Sequence, residues 1–173
     1  MDLEMTGLDD EKDRILEVAV IVTDLEFNIL DQYESVVFQP PEVVDGMNDW
    51  CKEHHGRSGL TAKIPNGKPL EEVEKDLIIV GRKHFHAKER IVIVGNSIGN
   101  DRRFIDRYWK SFAELLHYRM VDVSSYKEIF REKYGVEFQK KNSHRAVDDV
   151  IESIHELKHY LGFVKMPDVA AVK

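Results

Sequence analysis

Residues 14–24 read Arg-Ile-Leu-Glu-Val-Ala-Val-Ile-Val-Thr-Asp. A run so rich in β-branched side chains reads as a largely buried strand. Upstream, Asp2-Leu-Glu-Met5 alternates acidic and apolar residues, the pattern of a second strand, with the Thr-Gly-Leu turn and acidic residues after it as the link. Downstream, Asp24 to Asp31 reads as a turn into a third strand at residues 32–39, closed by Pro40-Pro41. Three strands at short spacing predict an antiparallel meander.

Beyond residue 41 the texture changes. Residues 42–56 are expected to be helical, and a Gly/Ser/Pro-punctuated loop covers 56–69. A helix over about 70–87 precedes a buried strand at 90–95. Residues 101–116 form a helix whose Phe104, Ile105, Tyr108, Phe112 and Leu115 share a face. A short strand at 120–123 leads to a helix over 125–134, ended by Gly135. The last helix, about 146–161, stripes Val147, Val150, Ile151, Ile154, Leu157 and Leu161. A meander followed by alternating helices and strands predicts an α/β fold, a mixed sheet with helices on both faces.

Composition narrows the class. The chain has 173 residues, 42% hydrophobic and 33% charged, ordinary values for one globular domain. No apolar run approaches the roughly 18 residues of a membrane span, and no apolar segment follows the acidic start as in a signal peptide. The single cysteine, Cys51, excludes an internal disulfide framework and suits a reducing compartment. A net charge of −7 argues against tracking along a long polyanion, which calls for a basic stripe.

Acids stand where the local pattern does not require them. Asp2 and Glu4 share one face of their strand, because residues i and i+2 point the same way. Asp101 opens a helix directly after a strand. Asp148-Asp149 lies near the start of the last helix, and spacing does not choose between the two. Helix starts favour acids through the macrodipole, which by itself accounts for Asp101 and the Asp148-Asp149 pair. Together, however, a strand pair, a strand end and a helix start can gather in one crevice of an α/β sheet. Hard oxygen ligands suit Mg²⁺ or Mn²⁺, and four carboxylates can hold two such ions about 3.5–4 Å apart for displacement at phosphorus. His144, four residues before Asp148 and five before Asp149, can supply a base near neutrality; taken alone, as one of eight histidines and in the polar stretch 140–145, it reads first as a surface residue.

The blocks D2-L-E-M-T-G-L8, D49-W-C-K-E-H-H-G-R-S-G-L60, G95-N-S-I-G-N-D-R-R-F104, H117-Y-R-M-V-D-V-S124 and H144-R-A-V-D-D-V-I-E-S-I154 closely resemble the oligoribonucleases. These form a DEDDh branch of the 3′→5′ exonucleases, with a ribonuclease H-like fold. The likeness runs from Asp2 to about Tyr160, with its motifs in order, and the second block looks most like the eukaryotic members. It implies a five-stranded mixed sheet and one exonuclease domain over 1–163, followed by a tail at 164–173.

The resemblance also implies roles. Asp2, Glu4, Asp101 and Asp149 would hold two divalent cations, Mg²⁺ or Mn²⁺, and His144 would be the general base. The activity would be hydrolysis of very short single-stranded RNAs, dinucleotides above all, to nucleoside 5′-monophosphates. Leu8 matches a leucine that wedges between two bases. Trp50, His54 and Tyr118 match residues near the bases, and Ser97, Arg119, Ser124 and Ser125 match positions that cap the substrate's 5′ side. The family is homodimeric, with Tyr118 and Arg119 entering the partner's site. The expected compartment is the cytoplasm, or the mitochondrion if a targeting extension precedes these residues. Rival readings are a DEDDh exonuclease acting on longer RNA or DNA, and a nucleotide-binding module without turnover.

Overall fold

The computed structural model describes residues 1–139 and 146–165. Strands β1 (Asp2–Met5), β2 (Ile15–Thr23) and β3 (Ile29–Val36) form the expected antiparallel meander. β1 faces β2 through Asp2–Ala19, Leu3–Val18 and Glu4–Glu17, with a bulge between Glu4 and Met5. The strand alternation sorts side chains onto two faces. Leu3, Val18 and Val20 pack into the main core, whereas Ala19 and Ile21 pack on the opposite side. Asp2 and Glu4 therefore lie on the Ala19 side.

The link between β1 and β2 is drawn tight by one carboxylate. Asp13 accepts from the Thr6 hydroxyl at 2.9 Å and from the Asp9 N–H at 2.9 Å. A Cβ at Gly7 would come within 2.4 Å of the Asp13 carboxylate and displace it from these partners. The turn into β3 is held by Asp24, which accepts from the N–H groups of Glu26 and Asn28. That local capping starts β3 at Ile29, earlier than the residue 32 expected.

The expected helix over 42–56 is two helices, α1 (Pro41–Asp45) and α2 (Asp49–Arg57). Asn48 interrupts them by accepting from the Cys51 N–H at 2.8 Å, an N-cap that restarts the chain in a new direction. α3 (Leu70–His84) follows. The helix expected at 101–116 is likewise divided, into α4 (Gly99–Tyr108) and α5 (Lys110–Ala113). The break falls at Trp109, whose fully buried indole donates to the Leu70 carbonyl at 3.1 Å. Glu74 of α3 then accepts from the Ser111 and Phe112 N–H groups, capping α5 from a neighbouring helix.

β4 (Val94–Gly95) and β5 (Val121–Asp122) pair in parallel, with a further bridge at Ile91–Leu116. Among the described residues the strands thus form a three-stranded and a two-stranded ladder, in place of the one five-stranded sheet expected. Of the strand expected at 90–95, the last two residues are in the ladder. The Met1 nitrogen donates to the Val94 carbonyl at 2.7 Å, which brings β1 beside β4. α6 (Val123–Tyr134) starts on the Asp122 side chain and ends at Gly135, whose φ of 63° needs no Cβ. α7 (Ala146–Leu161) has the expected bounds and packs Ala146 and Val150 on Ala19. Its start thereby comes to the face that carries Asp2 and Glu4. No helix of the described residues is long and apolar enough to cross a membrane.

Candidate active site

Asp2 and Glu4 from β1 meet Asp149 from the first turn of α7, and one carboxylate oxygen from each lies within 4.8 Å of the others. Asp148, one residue earlier on the helix, is exposed. A helix advances about 100° per residue, so only one of two adjacent acids can face the strand pair; packing of Val150 and Ala146 on Ala19 sets the phase that turns Asp149 inward.

Burial with like charges dominates the electrostatics. Desolvation first, then the nearby Asp2 and Asp149 carboxylates, push the Glu4 carboxyl up to about 8. Buried Glu17, directly across from Glu4 on β2, adds to this, and its side chain accepts from the Ala146 N–H at 3.4 Å. Asp101 is buried at the start of α4, and desolvation raises its carboxyl to about 6. It accepts from the Leu3 N–H at 2.8 Å, and that bond to the strand holding Asp2 and Glu4 partly offsets the burial. Asp101 thus grips the main chain between the paired acids. Among the described residues, the set whose oxygens converge is Asp2, Glu4 and Asp149.

These residues fit a divalent cation. The donors are all hard carboxylate oxygens, and a cation among them would offset the like charges they bring together. His144 lies outside the described residues.

Three large side chains that the sequence assigns to the substrate are left in solvent. Leu8, Trp50 and Tyr118 are 63%, 68% and 74% exposed. Trp50 stacks on His54 with ring centroids 4.5 Å apart, one helical turn along α2. The Arg119 guanidinium lies 5.2 Å over the Tyr118 ring, and Tyr118 stacks on His117. Ser97 and Ser124 meet with hydroxyls 3.3 Å apart, and the Ser97 N–H donates to Ser124 and to Asp122 at 3.0 Å each. Ser125 is exposed in the first turn of α6. Tyr118 and Arg119 make no contact with the carboxylate cluster among the described contacts.

One residue at the site escapes sequence reasoning. His55 is 1% exposed, pairs its Nε2 with the Met5 carbonyl at 2.9 Å, and brings its Nδ1 within 3.8 Å of the Glu4 carboxylate. The cap at Asn48 sets the phase of α2, so that Cys51 and His55 face inward while Trp50 and His54 face out. The signal was present as an i, i+4 pair, but only with the helix start known.

Carboxylates gathered from one strand and a helix start suit the divalent cations that a class of phosphodiester hydrolases uses. Residues 1–157 match the RNase T family model, described as an exonuclease. A probable oligoribonuclease from Dictyostelium discoideum is 47% identical over 92% of this chain and 86% of its own length. The human mitochondrial oligoribonuclease is 43% identical over 92% of this chain and 70% of its own length. An oligoribonuclease from Francisella tularensis is 41% identical, covering 92% and 91%. The chain belongs to the oligoribonuclease family of exonucleases.

Proposed function

We propose that this chain is a 3′→5′ exoribonuclease that hydrolyses very short RNAs, dinucleotides above all, to nucleoside 5′-monophosphates. The observation that carries this reading is the convergence of Asp2, Glu4 and Asp149 on one face of the sheet, in a chain of this family. Asp2, Glu4, Asp101 and Asp149 are assigned as the holders of two divalent cations, Mg²⁺ or Mn²⁺. When bound, these supply charge stabilisation at the phosphodiester and a stronger nucleophile at neutral pH. Asp101 keeps β1 in place through the Leu3 N–H.

His144 is assigned as the general base that takes the proton of the attacking water. Leu8 separates the two bases, while Trp50, His54 and Tyr118 offer stacking faces worth about 1–3 kcal/mol per base. Ser97, Arg119, Ser124 and Ser125 close the 5′ side through hydrogen bonds to phosphate oxygens, charge-assisted at Arg119. Exposure supports Ser97, Arg119 and Ser125, and the contact of half-buried Ser124 with Ser97 supports the fourth. In a homodimer, Tyr118 and Arg119 complete the partner's site. Residues 1–163 act as one catalytic domain, with 164–173 as a tail. The compartment is the cytoplasm or the mitochondrion; the human relative carries the latter in its name.

The test combines calorimetric Mn²⁺ binding with chromatography of the products. The parent protein binds Mn²⁺ and releases nucleoside 5′-monophosphates. Asp149→Asn binds Mn²⁺ more weakly and loses turnover, and His144→Ala keeps Mn²⁺ binding while kcat falls about 10²–10⁴-fold. Parental Mn²⁺ affinity in Asp149→Asn would sink the assignment.

A further inference from the structure

Asn96 sits between the proposed 5′-side serines and the helix that carries Asp149, with each end of its amide engaged. Its Oδ1 accepts from the Ser124 hydroxyl at 3.1 Å. Its Nδ2 donates to the Ser153 hydroxyl at 2.8 Å and to Glu156 at 3.1 Å. The Glu156 side chain is fully buried and also receives the Tyr160 hydroxyl at 3.2 Å. A carboxylate accepts only, so Glu156 determines which end of the amide is the nitrogen.

The chain of bonds has one direction throughout. The Ser97 N–H donates to the Ser124 oxygen at 3.0 Å, and the Ser124 hydroxyl donates on to Asn96. Asn96 donates to the Ser153 oxygen, and the Ser153 hydroxyl donates to the Asp149 carbonyl at 2.8 Å. Bonds aligned head to tail polarise one another. Ser97 begins the chain in a left-handed conformation, φ 50°, which a non-glycine residue seldom adopts. That turn aims its N–H at Ser124 and Asp122. Ser153 bonds back to the carbonyl four residues earlier, a contact that shapes the helix locally at Asp149.

We infer that Asn96 is a positioning residue that couples recognition of the substrate's 5′ side, at Ser97 and Ser124, to the placement of Asp149. This rests on the proposed reading of those serines as the 5′ cap and of Asp149 as a metal ligand. Asn96 touches neither substrate nor cation; it holds the Ser124 hydroxyl at one end and the middle of α7, at Ser153 and Glu156, at the other. An aspartate, serine or alanine at 96 lacks the pairing of one acceptor with two donors that the site uses.

The test is a mutant cycle on dinucleotides with and without a 5′-phosphate, measuring kcat and KM separately at saturating Mn²⁺. Ser124→Ala is expected to lower the preference for the 5′-phosphorylated substrate about five- to tenfold, the scale of one lost hydrogen bond. Asn96→Ala should lower that preference equally and kcat as well, and the double variant should be no worse than Asn96→Ala alone. Asn96→Ala with parental preference, or losses that multiply in the double variant, would overturn the inference. Parental preference in Ser124→Ala would instead remove the cap reading, and the inference with it. Should Asn96→Ala not fold, Ser153→Ala decides: it leaves the Glu156 bond and removes the bonded path from Asn96 to the Asp149 carbonyl, so kcat falls while the 5′-phosphate preference stays, and a parental kcat contradicts the coupling.

Discussion

His55 carries its ring proton on Nε2, because the Met5 carbonyl it pairs with can only accept. That bond pins the chain beside the bulge that follows Glu4. Replacing the buried His55 by alanine removes its bond to the Met5 carbonyl, and should cost about 1–3 kcal/mol in denaturant unfolding. An unchanged midpoint would show that the strand is held by other contacts. Asp148 and Asp149 give the sharper contrast in activity. Asp148→Asn, on the exposed side of α7, should keep turnover near the parent's, and Asp149→Asn should abolish it; equal losses would contradict the helix phase seen here. The sequence could not separate these two acids, because spacing from His144 admits both. What separates them is the packing of Ala146 and Val150 on Ala19, a contact between residues far apart in the chain. Asp2 and Glu4 were legible at once, since strand alternation is local.

Among the elements, those that follow local pattern were readable and those broken by distant contacts were not. β2 and α7 have nearly the bounds that periodicity predicts. The breaks after α1 and at Trp109 are set by a cap at Asn48 and by Glu74 reaching across from α3. Asn48→Ala should therefore destabilise the protein by about 0.5–2 kcal/mol in thermal unfolding, through loss of the α2 cap. Another tie joins β3 to the end of α3: Asp31 accepts from Lys83 at 2.8 Å and pairs with His84 at 2.7 Å. The Lys83 and His84 hydrogen bonds hold its carboxyl well below the usual range. The folded state thus binds fewer protons there than the unfolded chain. The stabilisation is complete above the unfolded pKa of about 4 and is lost as pH falls below it. Asp31→Asn should flatten the acid limb of a melting temperature against pH curve below about pH 4 and change its shape little above pH 6. An acid limb as steep as the parent's would place that dependence elsewhere.

At the scale of the molecule, net charge and substrate size belong together. A chain carrying −7 has little to gain from a long polyanion, but a dinucleotide asks for few phosphate contacts. The rate at low substrate should accordingly respond weakly to salt. With one or two phosphates engaged, log(kcat/KM) against log salt should slope no more steeply than about −1.5. A slope of about −4 or steeper would reveal a track for longer chains. The proposed dimer bears on the same question, because Tyr118 and Arg119, ordered on each other at the surface, would then come from the partner. Tyr118→Ala should weaken dinucleotide binding by about 1–3 kcal/mol with the carboxylate site intact; unchanged KM would remove the stacking assignment.

The most direct test is turnover of 5′-labelled RNAs two to seven nucleotides long, in Mn²⁺, Mg²⁺ or EDTA. A site made of Asp2, Glu4, Asp101 and Asp149, closed on the 5′ side, predicts a rate that depends on the cation, vanishes in EDTA and is highest for the dinucleotide. A rate that climbs with length, or that persists in EDTA, would contradict it.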